Sequence, residues 1–207
     1  ANPALRGVAY IYKKGTKELF AVRKGWLSPA GTEGEYRMGL SLFKGAYDVK
    51  LWVDYTVEAG KDLYYNTDDL QSIVCTEPYT GSTEYRDCMY GAATIDLTSH
   101  EGNATEIEVK ATLERPLAKY KIIATDVKEF LRKTKKQRDN GNTYTITFSY
   151  GFYLPTGFNT VTGKPMNSIT GVKCSAPITI PDDGSEECVM GTDFIFVNGT
   201  ESFVVLT

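Results

Sequence analysis

The chain has 207 residues and a formal net charge of −3. This charge gives no electrostatic reason to expect a nucleic acid or an anionic membrane surface as partner. No run of about 18 apolar residues occurs, so no membrane-spanning helix is predicted, and residues 1–6 do not resemble a signal peptide. We therefore expect a mature or trimmed chain.

The first part of the chain predicts a β-sandwich. Residues 8–12 and 19–23 are apolar-rich segments that flank a charged turn containing Gly15, as in a β-hairpin. Apolar and polar residues then alternate over residues 36–42 and, in the longest such run, over residues 47–55. Strands of this kind have one apolar face, and covering that face requires a second sheet.

The alternation stops between residues 57 and 90. Within this segment, residues 68–73 and 82–89 have the polar caps of short helical turns. The polar stretch 99–104 is interpreted as a connector, which places a domain boundary between residues 103 and 104.

Residues 109–131 contain the clearest succession of elements. Alternation at residues 109–114 and 120–124 predicts two strands, separated near Pro116 because proline has no backbone N–H for a central ladder. Asp126 and Glu129 have the spacing of a capping box, so a short helix is expected to follow the second strand.

The rest of the chain again predicts strands. The basic run at residues 128–138 is interpreted as the solvated end of the helix and a loop, and residues 144–150 alternate as a half-buried strand. Three more short strands are expected at residues 176–181, 193–197 and 202–206. The sequence therefore predicts an all-β protein with short helical turns and two β-sandwich domains, residues 1–103 and 104–207.

Several segments resemble fimbrillin-like proteins, the surface lipoproteins and type V pilus subunits of Bacteroides-type bacteria. These segments lie between residues 35 and 131, in the same order as in that family: 45–55 (GAYDVKLWVDY), 64–67 (YYNT), 85–88 (YRDC), 114–120 (ERPLAKY) and 124–127 (ATDV). The resemblance implies two transthyretin-like or Greek-key sandwiches. It also implies an exported protein at the cell surface or outer membrane, held by a lipid anchor upstream of Ala1. A closing strand after residues 203–207 is expected to be missing.

The resemblance further implies a non-enzymatic fimbrial subunit, accessory or anchor protein with a role in adhesion. Such proteins assemble by strand exchange, in which a strand from a neighbouring subunit fills an apolar groove. The implied partners are other fimbrial subunits or further copies of this chain, together with a host glycan or protein. In related subunits the groove opens after cleavage behind an arginine, and Arg6 is the candidate processing site here.

A surface lipoprotein that binds glycan through exposed aromatic residues is the alternative. Trp26 and Trp52 are the candidate glycan contacts, and Tyr64, Tyr65, Phe152 and Tyr153 are further available rings. Trp52 lies on the polar face of its strand pattern. We interpret it as a core residue covered by another part of the chain, since large aromatic side chains are highly buried on average.

Four cysteines allow three disulfide pairings. The spacing fits two local pairs, Cys75 with Cys88 and Cys174 with Cys188, each of which would contribute roughly 3 kcal/mol. Four buried free thiols are the alternative, because free cysteine is often buried. No cysteine pair has the short spacing of a zinc knuckle.

Catalytic signals are absent from the sequence. His100 is the only histidine, and no nucleotide-binding or nucleophile-elbow motif occurs. We therefore expect no enzyme activity, no cofactor and no metal site. Asp54 and Asp87 match acidic positions of the fimbrillin-like segments and are interpreted as loop-stabilising partners of Arg86 or Arg115.

Overall fold

A computed structural model describes residues 2–100, 106–134 and 143–197. The chain forms one helix, α1 (Val127–Thr134), one 3-10 turn (Glu84–Arg86) and a series of strands in this part. The strands are β1 (Ala4–Lys13), β2 (Leu19–Trp26), β3 (Ser28–Pro29), β4 (Tyr36–Arg37), β5 (Ala46–Thr56), β6 (Tyr65–Asn66), β7 (Ile73–Cys75), β8 (Met89–Asp96), β9 (Leu113–Glu114), β10 (Leu117–Ala124), β11 (Thr143–Ser149), β12 (Leu154–Asn159), β13 (Lys164–Ile169), β14 (Lys173–Thr179) and β15 (Cys188–Phe196).

The largest sheet has the strand order β2-β1-β5-β8-β9, and all its neighbouring strands are antiparallel. Its long strand β5 is the segment with the longest predicted alternation, which confirms that prediction. β1 pairs with β5 from Ala4 opposite Thr56 to Lys13 opposite Tyr47. The predicted hairpin of β1 and β2 is also present.

A second sheet, with the order β13-β12-β7-β6, packs over one face of the first. Side chains of both sheets form the main core, among them Val8, Trp52, Ile73 and Phe158. The protein is thus an all-β sandwich, as the sequence predicts. Trp52 is fully buried in this core, which confirms its interpretation as a core residue.

This second sheet contains strands from both halves of the chain, because β12 pairs with β7. The two halves therefore share a sheet and a core. The division at residues 103 and 104 falls among residues 101–105, outside the described residues, and stays a prediction.

The opposite face of the first sheet has its own apolar cluster. Ala9, Ile11 and Val49 are buried there, and Leu40 and Leu42 pack against them. The predicted strand over residues 36–42 is confirmed only at β4, because the following residues cover the sheet instead of extending it. β1 is consequently buried on both faces.

The later strands form two two-stranded sheets, β10-β15 and β11-β14. Helix α1 begins directly after Asp126, as predicted, and packs Val127 and Leu131 against Ile180. No helix among the described residues is long and apolar enough to cross a membrane. The predicted strand at residues 202–206 lies outside the described residues.

The strand predicted at residues 109–114 is present only as β9. Residues 106–112 are exposed and form no strand, although their alternation is clear. Alternation reports a preference for extended backbone, whereas a strand also requires a paired neighbour. That neighbour cannot be read from the pattern.

Candidate assembly site around strand β1

β1 is an interior strand of the first sheet, paired on one side with β2 and on the other with β5. Its side chains from Arg6 to Ile11 are all buried. Val8 and Tyr10 point into the main core, and Ala9 and Ile11 point into the cluster on the opposite face. The strand therefore fills a continuous groove between its two neighbours.

The turn that follows β1 is exposed and basic. Residues 13–19 are exposed and include Lys14 and Lys17. A backbone hydrogen bond from Lys13 to Glu18 closes the turn at 3.1 Å. A cut in this turn would break the covalent connection between β1, with any residues that precede it, and all the other strands of the sheet.

Arg6 forms a buried ion pair with the strand beside it. It lies directly opposite Asp54 in the register of β1 and β5. Its Nε and Nη2 atoms donate to Oδ1 and Oδ2 of Asp54 at 2.8 and 2.7 Å. Both side chains are 0% exposed. This fork geometry is the strong form of an arginine–carboxylate contact.

A second carboxylate completes the arginine's hydrogen bonds. Arg6 Nη1 donates to Asp62 Oδ1 at 2.9 Å and to the Lys61 carbonyl at 2.9 Å. Lys24 on β2 also contacts Asp62, at 3.2 Å. The guanidinium thus bridges β5 and the loop after it, so that β1 is held by charge as well as by the sheet ladder.

The electrostatics act in different directions on the three charged groups: burial raises the pKa of Asp54 despite hydrogen bonds and charge from Arg6, whereas Arg6 and Asp62 are shifted towards their charged forms. Burial alone would lower the pKa of Arg6, but hydrogen bonds and charge from Asp54 and Asp62 outweigh it and raise the pKa. Burial acts to raise the pKa of Asp62, yet hydrogen bonds from Thr67 and Arg6 outweigh it and lower the pKa. Both groups therefore stay charged at neutral pH.

This geometry does not fit Arg6 as a processing site in the folded chain. A protease needs an exposed, extended segment, whereas Arg6 is fully buried inside a central strand. A cut after Arg6 would also leave most of β1 in the sheet. The exposed turn at residues 14–18 is the accessible position next to β1.

A second buried cluster, here called the Asp193 cluster, lies where β15 meets the segment before β8. Arg86 Nη1 donates to Asp193 Oδ1 at 3.1 Å, and the hydroxyls of Tyr79 and Tyr150 donate to Oδ2 at 2.9 and 2.6 Å. Tyr120 donates in turn to Tyr150, at 2.6 Å. The Arg86 guanidinium also stacks on the Tyr79 ring at 4.0 Å.

The tyrosines of this cluster remain protonated donors. Burial, together with neighbouring Tyr79 and Asp193, raises the pKa of Tyr150. Burial raises the pKa of Tyr120 to about 12. Asp193 therefore accepts hydrogen bonds from several elements at once, which ties β15 to both halves of the chain.

The chain matches the model of a family of unknown function, DUF6562, over residues 2–207. The chain belongs to this family. No curated protein matches it.

Two solved structures are similar to the chain. One is a candidate adhesin from Bacteroides ovatus, with a TM-score of 0.47 and 15% identity over 97% of this chain and 64% of that chain. The other is the fimbrial anchor protein Mfa2 from Porphyromonas gingivalis, with a TM-score of 0.44 and 12% identity over 100% of this chain and 69% of that chain. The chain thus spans about two thirds of the length of either protein.

Neither predicted disulfide is present in the structure. Cys75, Cys88, Cys174 and Cys188 are all free thiols, and only Cys188 is not buried. Cys75 instead accepts a hydrogen bond from Arg86 Nη2 at 3.2 Å. Burial raises the pKa of Cys75 to about 11. The alternative of free thiols fits this structure, in which Cys75, Cys88 and Cys174 fill the core and Cys188 packs beside a smaller cluster.

The predicted acidic partners are partly confirmed. Asp87 forms a bidentate pair with Arg115, at 2.6 and 2.8 Å, as expected. Asp54 pairs instead with Arg6, and Arg86 pairs with Asp193. These pairs join residues 48 and 107 positions apart, and local spacing gives no signal for them.

The two tryptophans differ in accessibility. Trp52 is buried and donates from Nε1 to Asp54 at 3.2 Å, so it cannot contact a glycan in the folded chain. Trp26 is 47% exposed at the end of β2, and Phe152 and Tyr153 are 63% and 68% exposed in a loop. Among the described residues no group of three or more His, Cys, Asp or Glu side chains could hold a metal ion.

Proposed function

We propose that the protein is a non-enzymatic fimbrial subunit or accessory protein at the bacterial cell surface, with a role in adhesion. It assembles with other fimbrial subunits or with further copies of itself by exchange of strand β1. Export and a lipid anchor upstream of Ala1 belong to the same proposal, which draws on the resemblance of residues 35–131 to fimbrillin-like proteins.

The position of β1 is the observation that carries this proposal. β1 is a central strand, its residues Arg6 to Ile11 are buried, and an exposed turn separates it from β2. Loss of β1 would leave β2 and β5 with unpaired backbone groups along an apolar groove. Such a groove binds an added strand through main-chain hydrogen bonds and side-chain pockets.

Cleavage of the β1–β2 turn tests the proposal. A site-specific protease sequence inserted between Gly15 and Thr16 is cut in the purified, folded chain, and the product is followed by light scattering and by SDS-resistant ladders on gels. We expect the cut chain to assemble. The matched control carries the same insertion between Gly184 and Ser185, in the exposed turn between β14 and β15.

The control cut leaves β1 connected to β2, so it should produce no ladder. A cut chain that stays monomeric in both variants, with β1 still bound, would contradict assembly through β1. Glycan binding is then the remaining candidate. It is supported by the exposure of Trp26, Phe152 and Tyr153, and a glycan array with a Trp26→Ala control would test it.

A further inference from the structure

The groove that holds β1 is not a simple apolar slot, because two carboxylates lie along it. Asp54 is fully buried, and Asp62 is 17% exposed at its side chain. Arg6 contacts both, while Lys24 contacts Asp62 but not Asp54. Without β1, Asp54 would retain the Trp52 N–H but no cation.

We propose that this groove selects a donor strand with a basic residue opposite Asp54, followed directly by glycine. The inference rests on the proposed exchange of β1 and names the chemistry of the strand that replaces it. The partner is an extended segment that reproduces the pattern of residues 6–10 in β1: basic, glycine, aliphatic, small, aromatic.

Electrostatics determine which residue type the donor strand needs opposite Asp54. An apolar residue opposite Asp54 would leave a buried carboxylate without its cation, and truncating one side of a buried charge pair is strongly unfavourable. The fork of hydrogen bonds to Asp54 and the third bond to Asp62 also favour arginine over lysine.

The available space determines which residue type fits at the position of Gly7. A Cβ atom at Gly7 would lie 2.7 Å from the Met38 sulfur and 3.2 Å from Leu27 Cδ2. The flexible methionine can yield to an alanine, but a β-branched side chain adds bulk on both sides of this contact. The donor therefore needs glycine or, less favourably, alanine there.

The positions of Val8, Ala9 and Tyr10 determine the register that a donor strand must adopt. Val8 and Ala9 are 0% exposed and face opposite cores. The Tyr10 hydroxyl donates to the carbonyl oxygens of Thr67, at 3.0 Å, and Asp68. A slip by one residue would move the arginine and the tyrosine to the other face of the sheet, away from these acceptors.

Labelled peptides test the inference on the full chain. The chain with the protease site in the β1–β2 turn is cut, and its β1 segment is exchanged for a labelled peptide of residues 3–13 during brief exposure to denaturant. Peptides with Arg6→Gln and Lys13→Gln lose the same charge, but Lys13 is exposed. Peptides with Gly7→Val and Ala4→Val form a second matched pair.

We expect Arg6→Gln to weaken binding at least about thirty-fold, since a buried pair loses one partner. Lys13→Gln should weaken it by less than about threefold, as for an exposed pair. Gly7→Val should cost about tenfold through overpacking, and Ala4→Val little. In a chain with Asp54→Asn, the ratio between the parent and Arg6→Gln peptides should fall several-fold.

Equal binding of the Arg6→Gln and Lys13→Gln peptides, or a ratio unaffected by Asp54→Asn, would overturn the selection of a basic residue while leaving strand exchange intact. Equal binding of the two valine peptides would overturn the requirement for glycine. Failure of the parent peptide to bind the cut chain would overturn both the selection and the proposed exchange of β1.

Discussion

Two buried arginine–aspartate pairs occur in the part of the chain that the structure describes, and they differ in what they connect. Arg6 and Asp54 lie opposite each other on neighbouring strands of one sheet. Arg86 and Asp193 are 107 positions apart and join a 3-10 turn to β15. Both pairs have almost no exposed side-chain area.

Under the proposed assembly, this difference separates the strand that exchanges from the part of the chain that stays fixed. A single incoming strand can restore the contacts of Arg6, because β1 supplies only one member of that site. The Asp193 cluster needs Tyr79, Arg86, Tyr150 and β15 together, and Phe194 and Phe196 beside it are also buried. We infer that the first pair accompanies strand exchange, whereas the second keeps the body of the protein intact.

The largest effect is expected in the Asp193 cluster. Asp193→Asn leaves Arg86 buried without a counter-charge, so the free energy of unfolding should fall by about 3–5 kcal/mol. Urea denaturation measures it. Asp87→Asn is the matched control: it breaks a pair whose arginine is 52% exposed and should cost less than about 1 kcal/mol. Equal losses would remove the distinction between a buried and a surface pair.

Glycine substitutions compare the packing of the two regions. A Cβ atom at Gly191 would lie 2.2 Å from Cζ of the Phe148 ring, whereas one at Gly7 would first meet the flexible Met38. Gly191→Ala should therefore cost about 1–3 kcal/mol and Gly7→Ala less. Thermal unfolding gives both values, with Gly60→Ala as a control because nothing lies within 4 Å of its Cβ position. A larger loss of unfolding free energy for Gly7→Ala than for Gly191→Ala would mean that the β1 groove is packed more rigidly than the Asp193 cluster, which would contradict this comparison.

Acid should weaken the Arg6 site through Asp62. Its pKa is lowered in the folded chain, so its stabilisation is present above the ordinary aspartate pKa of about 4 and is lost as pH falls through the folded value. The difference in unfolding free energy between the parent and Asp62→Asn should therefore shrink as pH falls from about 5 to 3. A constant difference over this range would show that the Asp62 charge does not stabilise the site.

Thiol labelling gives the smallest expected change and tests whether the two regions are independent. Cys188 should react first with an aromatic disulfide reagent, because it alone of the four is not buried. Cys75 should react slowly, and cutting the β1–β2 turn should leave its rate unchanged. A Cys188→Ser variant identifies the fast signal. Faster labelling of Cys75 after the cut would mean that release of β1 opens the Asp193 cluster.

The sequence predicts local features of this fold well. The alternating residues 47–55 lie within β5, Trp52 lies in the core, and α1 begins after Asp126. Each of these signals depends on a few neighbouring residues. The bidentate pair of Asp87 and Arg115 is also among the predicted pairs, because both residues belong to segments that resemble fimbrillin-like proteins.

The candidate site depended on contacts that local patterns do not encode. Arg6 is predicted as a processing site near the start of the chain, although its neighbours Leu5, Gly7 and Val8 are apolar, and that setting is the available signal for a buried charge. Neither the pairing of Arg6 with Asp54 nor that of β7 with β12 follows from periodicity. The clear alternation of residues 109–114 likewise predicted a strand, of which only Leu113 and Glu114 are paired in the structure.

Exchange of β1 between molecules is the most direct test of the central claim. Equal amounts of ¹⁵N-labelled and unlabelled chain, each cut in the β1–β2 turn, are mixed below the unfolding temperature and followed by native mass spectrometry. The account predicts species in which labelled β1 is bound to an unlabelled body, together with the converse species. If every β1 segment stays with its original body until the whole chain unfolds, β1 is a fixed strand and the proposed assembly is contradicted.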